Sequence, residues 1–274
     1  MIPKIIHYCW FGGNPLPESA QQCIQSWKRL MPDYEIKEWN ETNFDVHCCQ
    51  YVEQAYEQKK WAFVSDYARF WILYKEGGIY FDTDVELIQD LEPLLKRGPF
   101  LGVEKGKTNM VNPGLGMAAP LAMPFYQEIL DDYQKDSFIN EDGSLNLTTV
   151  VTRTSELLQR HGFQISKLKE PCQIAGIWIY PEEYFCPMDY YTGEVNITKR
   201  TYSIHKYDGS WTSQKQQDKN QLKYKYYKCI SAVMPKSMAY PASEILAALV
   251  FSYQKEGIAG VVQKIMNHYL NTSR

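Results

Sequence analysis

Asp82 and Asp84 stand one residue apart at the end of an apolar run, Gly77-Gly78-Ile79-Tyr80-Phe81-Asp82-Thr83-Asp84. Read as a strand from Ile79 to Asp84, the segment turns both carboxylates to one face, roughly 6–7 Å apart at ~3.3 Å per residue. Two hard oxygen ligands at that separation can approach one small divalent cation, whose metal–oxygen bonds are about 2.0–2.2 Å. A cation held at a strand end is a place to bind a diphosphate. Two nearby aspartates can equally end a strand or form a turn, but this is the only Asp-x-Asp in the chain.

Two further groups of polar residues belong with it. Ser65, Asp66 and Arg69 precede it on a helical stretch, and Asp66 and Arg69 at i, i+3 share a helix face. That pairing reads as a surface ion pair worth under about 1 kcal/mol, or as a polar clamp on sugar hydroxyls close to the carboxylates. Later, Ser203-Ile204-His205-Lys206-Tyr207-Asp208-Gly209-Ser210-Trp211 offers an imidazole, a carboxylate and a hydroxyl within six residues around a glycine. His205, Asp208 and Ser210 could form the third side of a divalent site whose other ligands are Asp82 and Asp84.

The elements that must carry these residues alternate strand and helix. Ile5 to Trp10 reads as a buried strand that stops at Gly12-Gly13, and Glu18 to Leu30 as a helix ended by Pro32. Glu35 to Trp39 reads as a strand, Cys49 to Gln58 and Trp61 to Glu76 as helices, and Gly77 as an αL cap. This order argues an α/β sheet with parallel members. Beyond residue 98 prolines punctuate shorter elements. Pro124 to Gln134 and Thr148 to His161 read as helices, and Gln173 to Tyr180 as a strand containing Gly176. From about Ala242 the tail carries Ile258, Val261, Val262, Ile265, Met266 and Tyr269 at helical spacing, for packing on the main domain or on a membrane surface. The expected division is a domain over 1–234 and a helical appendage over 235–274.

With 274 residues, 45% apolar and 22% charged, the chain has ordinary globular composition and suits one core with an appendage. The net charge of −3 argues against a whole-chain nucleic-acid binder. The seven cysteines are odd in number and show no CxxC spacing, which excludes a disulfide framework or zinc site and fits a reducing cytoplasm. Met1 to Trp10 lacks a signal-peptide apolar region. The longest apolar run, Ile245 to Phe251, falls short of the ~20 residues that span a bilayer. The chain is expected in the cytoplasm, or peripheral on the inner face of the membrane. Between Lys199 and Lys228 eight Lys/Arg face two Asp, interleaved with Tyr202, Tyr207, Trp211, Tyr224, Tyr226 and Tyr227. This region reads as a solvated face, a phosphate-attracting rim or a contact for an anionic membrane surface.

Four stretches resemble glycosyltransferase family 32, the DXD sugar-binding group that includes bacterial capsular-polysaccharide transferases. They are Ile2 to Gly13, Ala62 to Phe70, Gly77 to Glu86, and Ser203-Ile204-His205 with Ser210-Trp211. The Ser-Asp-x-x-Arg and Tyr-x-Asp-x-Asp spacings are similar to those of the large clostridial glucosylating toxins. The resemblance covers about residues 1–212. It implies a GT-A fold (a Rossmann-like mixed sheet with flanking helices), Mn²⁺ or Mg²⁺, and a retaining transfer of a hexose. The donor it implies is a nucleotide sugar, most often UDP-linked, with galactose the family analogue. The acceptor would be a glycan or a lipid-linked oligosaccharide in surface-polysaccharide synthesis. Carried over by position, Trp10 stacks on uracil, Ser65 touches ribose, Asp66 and Arg69 hold the donor sugar, and Tyr80 lines the nucleotide pocket. Asp82 contacts ribose and metal, Asp84 is the main metal ligand, and His205 with Asp208 or Ser210 completes the metal site. Trp211 reaches the β-phosphate. Lys206 stands where many relatives carry a second histidine, and Asn112-Pro113-Gly114-Leu115-Gly116 fits a sugar-facing loop.

Breaking a sugar–diphosphate bond builds negative charge on the leaving phosphate, which a divalent metal stabilises and a lysine or tryptophan N–H supplements. Front-face attack, with the leaving oxygen taking the acceptor proton, would give retention. No motif marks a dedicated nucleophile; Glu104 and Asp189 are the unassigned carboxylates. Two rival readings remain. A haloacid-dehalogenase-type phosphatase would use Asp82 as nucleophile and Asp84 as acid/base, but that motif usually comes early and has Thr or Val where Glu86 stands here. A non-catalytic nucleotide- or sugar-binding module would keep Trp10 without needing Asp82, Asp84 and His205 together.

Overall fold

The structure is a computed structural model that describes residues 1–106, 110–164, 168–209 and 214–272, with the side chains of 214–217 and 263–272 outside the description. β1 (Ile5–Cys9) and β2 (Glu35–Trp39) lie parallel and are joined by α1 (Glu18–Leu30). After α2 (Gln50–Glu57) and α3 (Trp61–Glu76), β3 (Gly78–Tyr80) pairs in parallel with the other side of β1. β4 (Val85–Leu87), α4 (Glu92–Leu95), β5 (Phe100–Gly102), a 3-10 turn at Pro113–Leu115 and β6 (Met117–Ala119) follow. Then come α5 (Pro124–Gln134), α6 (Val150–Arg160), β7 (Cys172–Ile174), β8 (Ile177–Tyr180), α7 (Glu182–Phe185) and β9 (Ser203–His205). α8 (Gln214–Ile230) and α9 (Lys236–Thr272) close the sequence of elements.

Seven strands form one mixed sheet in the order β2-β1-β3-β6-β5-β8-β7, in which β6 runs antiparallel to β3 and β5. Both faces of the sheet are buried. One packs on α2, α3, α5 and α6, the other on α1, α4 and α7. The period of two along β3 therefore sorts residues between layers. Ile79 and Phe81 join the α1 side, and Tyr80 joins the α3 side. This is the α/β architecture expected from the sequence, and the bounds of α1, β2, α3 and α5 coincide with the expected ones.

Three local expectations fail. The strand read through Asp84 ends at Tyr80, and Thr83 and Asp84 lie in a turn in which Val85 N donates to Asp82 O at 3.1 Å. The chain leaves the main sheet there because β4 pairs with β9 in a separate two-stranded antiparallel sheet. β4 is held to α1 by Trp27 Nε1 donating to Val85 O (2.7 Å) and by Leu87 N donating to Ser26 Oγ (2.9 Å). Gln173 to Tyr180 is a hairpin, with Ala175 (φ 50°) and Gly176 (φ 78°) forming its two-residue turn. Gly77 caps α3 at φ 65°, ψ −164°, a glycine conformation but not αL.

The chain divides into two compact units, Met1–Met188 with Val195–Tyr207, and Asp189–Glu194 with Asp208–Arg274. The mixed sheet and the β4–β9 pair belong to the first, α8 and α9 to the second. The 234/235 boundary expected from the sequence falls inside the second unit. There Lys236–Val262 spans 27 residues, and its most apolar 18-residue stretch has a mean hydropathy of 1.3 and is 17% buried. By length and composition this helix could cross a membrane, a property hidden in the short run from Ile245 to Phe251.

β1 and β3 meet tightly around a buried histidine. Trp39 Nε1 donates to His7 Nδ1 (3.0 Å), so His7 Nε2 carries the proton and donates to Gly77 O (2.9 Å). Burial pushes the His7 pKa down to about 4, which keeps the ring neutral. A Cβ on Gly78 would lie 2.7 Å from Ile5 O and 3.0 Å from His7 Nε2, at a φ of 101°. Gly78→Ala is therefore expected to cost about 2–3 kcal/mol, seen as a thermal-unfolding midpoint lower by roughly 5–10 °C. A midpoint within about 1 °C of wild type would contradict that packing.

Candidate functional site

The turn after β3 gathers Asp82, Asp84 and His205, each with a ligand atom within 4.8 Å of the others. β9 delivers the histidine, since His205 is the cross-strand partner of Val85. His205 Nε2 lies 3.3 Å from Asp84 Oδ1, while its Nδ1 is buried without a hydrogen-bond partner. The ring stands edge-on to Tyr207, with centroids 4.3 Å apart at 83°. Lys206 N donates to Asp84 O (2.9 Å), and its ammonium pairs with Glu86 at 3.0 Å. Two carboxylates and an imidazole with a spare buried nitrogen suit a divalent ion that accepts both oxygen and nitrogen.

Asp82 is joined to the sugar-clamp pair read from the sequence. The Asp66–Arg69 pair is buried, with side chains only 12% and 4% exposed, so the surface ion-pair reading does not hold. Arg69 Nη2 donates to Asp66 Oδ1 at 2.9 Å, and the guanidinium also lies 3.3–3.4 Å from Asp82. Its Nε donates to Ser65 O (3.1 Å), and its plane sits 5.0 Å from the centre of the Tyr80 ring. Burial opposes the Arg69 charge, but Asp82, Tyr80 and Asp66 raise its pKa on balance. Asp66 fares differently. Burial and the charge of Asp82 push its pKa up to about 6, against the pull of Arg69 and of the Val150 N–H at the start of α6.

A third element, read in the sequence only as a segment that fits a sugar-facing loop, supports Asp82. A Cβ on Gly114 would come 2.1 Å from Asp82 Oδ2, so only glycine fits there. Asp82 N donates to Gly114 O (3.3 Å), and Gly114 N donates to Asn112 Oδ1 (2.8 Å). Asn112 Nδ2 donates in turn to Glu104 Oε2 at 2.9 Å. Burial raises the Glu104 pKa, opposed by that hydrogen bond and by His205. Glu104 is thus a neighbour of the site rather than an isolated carboxylate. The Asn112 to Gly116 segment was the one sequence signal for this floor.

The other expected residues are placed less decisively. Tyr80 is 1% exposed and donates through its hydroxyl to Asp82 Oδ1 (3.1 Å), so it orients the carboxylate from behind. Ser65 Oγ donates to Trp61 O (3.0 Å). Trp10 is half-buried and its Nε1 donates to Asn14 O (2.6 Å), which leaves the ring faces for packing. Asp208 and Asp189 belong to the second unit. Ser210 and Trp211 lie outside the described residues.

Residues 17–101 match the family described as "Glycosyltransferase sugar-binding region containing DXD motif", which takes in Asp66, Arg69, Asp82 and Asp84. The resemblance read from the motifs is borne out there. The chain is similar to inositol phosphoceramide mannosyltransferase 3 of Schizosaccharomyces pombe, 37% identical over 34% of this chain and 27% of that protein. It is also similar to mannosyl phosphorylinositol ceramide synthase CSH1 of Saccharomyces cerevisiae, 31% identical over 51% of this chain and 38% of that protein. A mimivirus glycosyltransferase of Acanthamoeba polyphaga mimivirus, L373, is 27% identical over 54% and 60%. The chain thus spans less than two thirds of the length of each of these relatives. Among solved structures, the PaToxG glycosyltransferase aligns at a TM-score of 0.45 and 20% identity, over 58% of this chain and 69% of that one.

The Asp66 environment has a consequence for stability. A carboxyl whose folded-state pKa exceeds its unfolded value holds its proton between pH about 4 and about 6. Its contribution to stability therefore grows as pH falls through 6 and is complete below 4. Relative to Asp66→Asn, wild type is expected to lose about 2 kcal/mol between pH 4.5 and 7.5. Urea unfolding of both proteins at the two pH values checks this; a constant difference would mean that Asp66 titrates normally.

Proposed function

We propose that this chain is a metal-dependent glycosyltransferase that moves a hexose from a nucleotide-diphosphate sugar to a glycan or lipid-linked acceptor, with retention at the anomeric carbon. The observation that carries this reading is the junction at Asp82, whose carboxylate belongs to the Asp82/Asp84/His205 cluster and also touches the buried Arg69 of the Asp66 pair. One carboxylate thereby links a place for a cation to a place for a sugar.

In this reading Asp82, Asp84 and His205 would hold Mn²⁺ (or Mg²⁺), with Asp208 or Ser210 as a further ligand. When bound, the ion would supply Lewis-acid stabilisation of the leaving diphosphate. Arg69, held rigid by Asp66, the Ser65 carbonyl and Tyr80, would offer donors to the sugar without having to reorganise. Asp66 would accept from a sugar hydroxyl in its ionised form. Gly114 would leave room beside Asp82, and Asn112 would fix the loop that bounds it. Trp10 would stack on the base and Ser65 would turn to the ribose. Lys206 and Trp211 would face the diphosphate, Lys206 after releasing Glu86.

UDP is the nucleotide favoured by the motif resemblance, with galactose as the family analogue. One yeast relative is named an inositol phosphoceramide mannosyltransferase and the other a mannosyl phosphorylinositol ceramide synthase, which adds mannose to the donors and a polar lipid headgroup to the acceptors worth testing. Surface-polysaccharide synthesis is the setting that the motif resemblance favours.

A panel of UDP- and GDP-linked hexoses with Mn²⁺, followed by donor hydrolysis, tests the reading. One donor should turn over only with the metal present, and Asp84→Ala should lower that turnover by about 100-fold or more. Arg69→Lys, which keeps the charge but loses the fork that reaches Asp66 and Asp82, should lower it by at least about tenfold. Undiminished metal-dependent turnover in Asp84→Ala would falsify the site assignment.

A further inference from the structure

The second unit exposes apolar surface on one face of a helix whose other face is already buried. Ala239, Ser243, Ala247 and Phe251 of α9 repeat every four residues and are buried, and α9 packs on α8. Met238, Ile245 and Tyr253, seven and eight residues apart, line the opposite face and are 59%, 60% and 58% exposed. Leu246 lies beside them, and Val233 stands exposed in the turn before the helix. So much large apolar side chain in water marks a contact surface.

Its charge says what the contact is. The second unit carries nine Lys/Arg against six Asp/Glu, whereas the first carries 20 against 26. Lys225, Lys228 and Lys255 are exposed and form no ion pair among the described residues. Lys225 and Lys255 border a cleft of about 540 Å³ with one carboxylate, Asp218, and with Gln221, Gln254 and Phe251. Two cations and two amides against one carboxylate leave the cleft with a net positive charge, which suits the phosphodiester of a lipid headgroup. We infer that this helical unit is a docking surface for an anionic lipid bilayer, with the Met238–Ile245–Tyr253 face in the headgroup layer and the lysines on lipid phosphates.

Two alternatives fit the same observations less well. A second copy pairing through this unit would set two net-positive units, each with nine Lys/Arg against six Asp/Glu, against each other, which costs affinity. Spanning the bilayer would strip the Ala239–Phe251 face from α8 and place Ser243 and Glu244 in hydrocarbon. The break at Gly257 (φ 64°, ψ −156°) also interrupts the helix within its apolar length. Lying on the surface keeps both helix faces covered.

The test is co-sedimentation of the full chain with vesicles of phosphatidylcholine alone or mixed with phosphatidylglycerol, at low and high salt. Binding should be at least about tenfold stronger to the anionic vesicles and should weaken with salt. Ile245→Asp with Tyr253→Asp, which leaves the buried stripe intact, should abolish it. Lys225→Gln with Lys255→Gln should reduce the preference for anionic lipid, and circular dichroism checks that both variants keep their helices. Equal binding to neutral and anionic vesicles, or none, overturns the inference, as does a dimer by light scattering that Ile245→Asp dissociates without any vesicle binding. Asp84→Ala should bind vesicles as wild type does, so the donor-site reading and this one fail separately.

Discussion

A guanidinium that water cannot reach must be paired or it would not be tolerated, and Arg69 is such a group. Desolvating a charge costs several kcal/mol unless excellent geometry offsets it. Here the offset comes from Asp66, Asp82, the Ser65 carbonyl and the Tyr80 ring together. Each partner arrives from a different constraint. Asp66 and Ser65 share α3 with the arginine, Tyr80 comes from the α3 side of the sheet, and Asp82 comes from the turn that follows. The Val150 N–H ties Asp66 to the start of α6 as well. Moving any of these elements would leave the cation underpaired, so Arg69 fixes the geometry of the carboxylate turn.

That turn also depends on two close approaches of backbone. Gly78 lets β3 lie against β1 and the neutral His7, which sets the depth at which β3 ends. Gly114 lets the loop before β6 pass under Asp82. Between them the chain has no freedom to continue as a strand past Phe81. It turns, and β4 takes up β9 as its partner, which brings His205 to Asp84. The metal-site candidate is therefore a product of sheet packing on one side and of a small separate ladder on the other.

Much of the framework was legible because proline and glycine mark its boundaries. Pro17 precedes α1, Pro124 opens α5 and Gly77 closes α3, and those helices begin and end where the sequence places them. The i, i+3 relation of Asp66 and Arg69 was legible too, but not their burial, which comes from the sheet and from α6. Asp82 and Asp84 were recognised for the right chemistry through the wrong local structure. An apolar triplet running into an aspartate looks like a continuing strand, and only the distant pairing of Val85 with His205 makes it a turn. The hairpin at Ala175-Gly176 was missed because Ala175 takes a positive φ that its residue type does not announce. Glu104, Asn112 and Gly114 form a chain of hydrogen bonds to the site that no local pattern encodes.

The charges assembled by this fold explain why a cation belongs to any reading of it as a diphosphate site. Asp66, Asp82 and Asp84 bring three carboxylates to a region in which Arg69 is the buried cation. A diphosphate adds at least two more negative charges. At about 4 Å and an effective dielectric near 20, each like-charge pair opposes binding by about 4 kcal/mol. Arg69 cannot reverse that sum, since Asp66 and Asp82 already share it. Two positive charges placed between Asp82 and Asp84 would reverse it and would leave Arg69 free to face a neutral sugar. On this argument the carboxylates are useful to an anionic donor only through a divalent ion, and the histidine brought by β9 is what turns a repulsive pair into a ligand set.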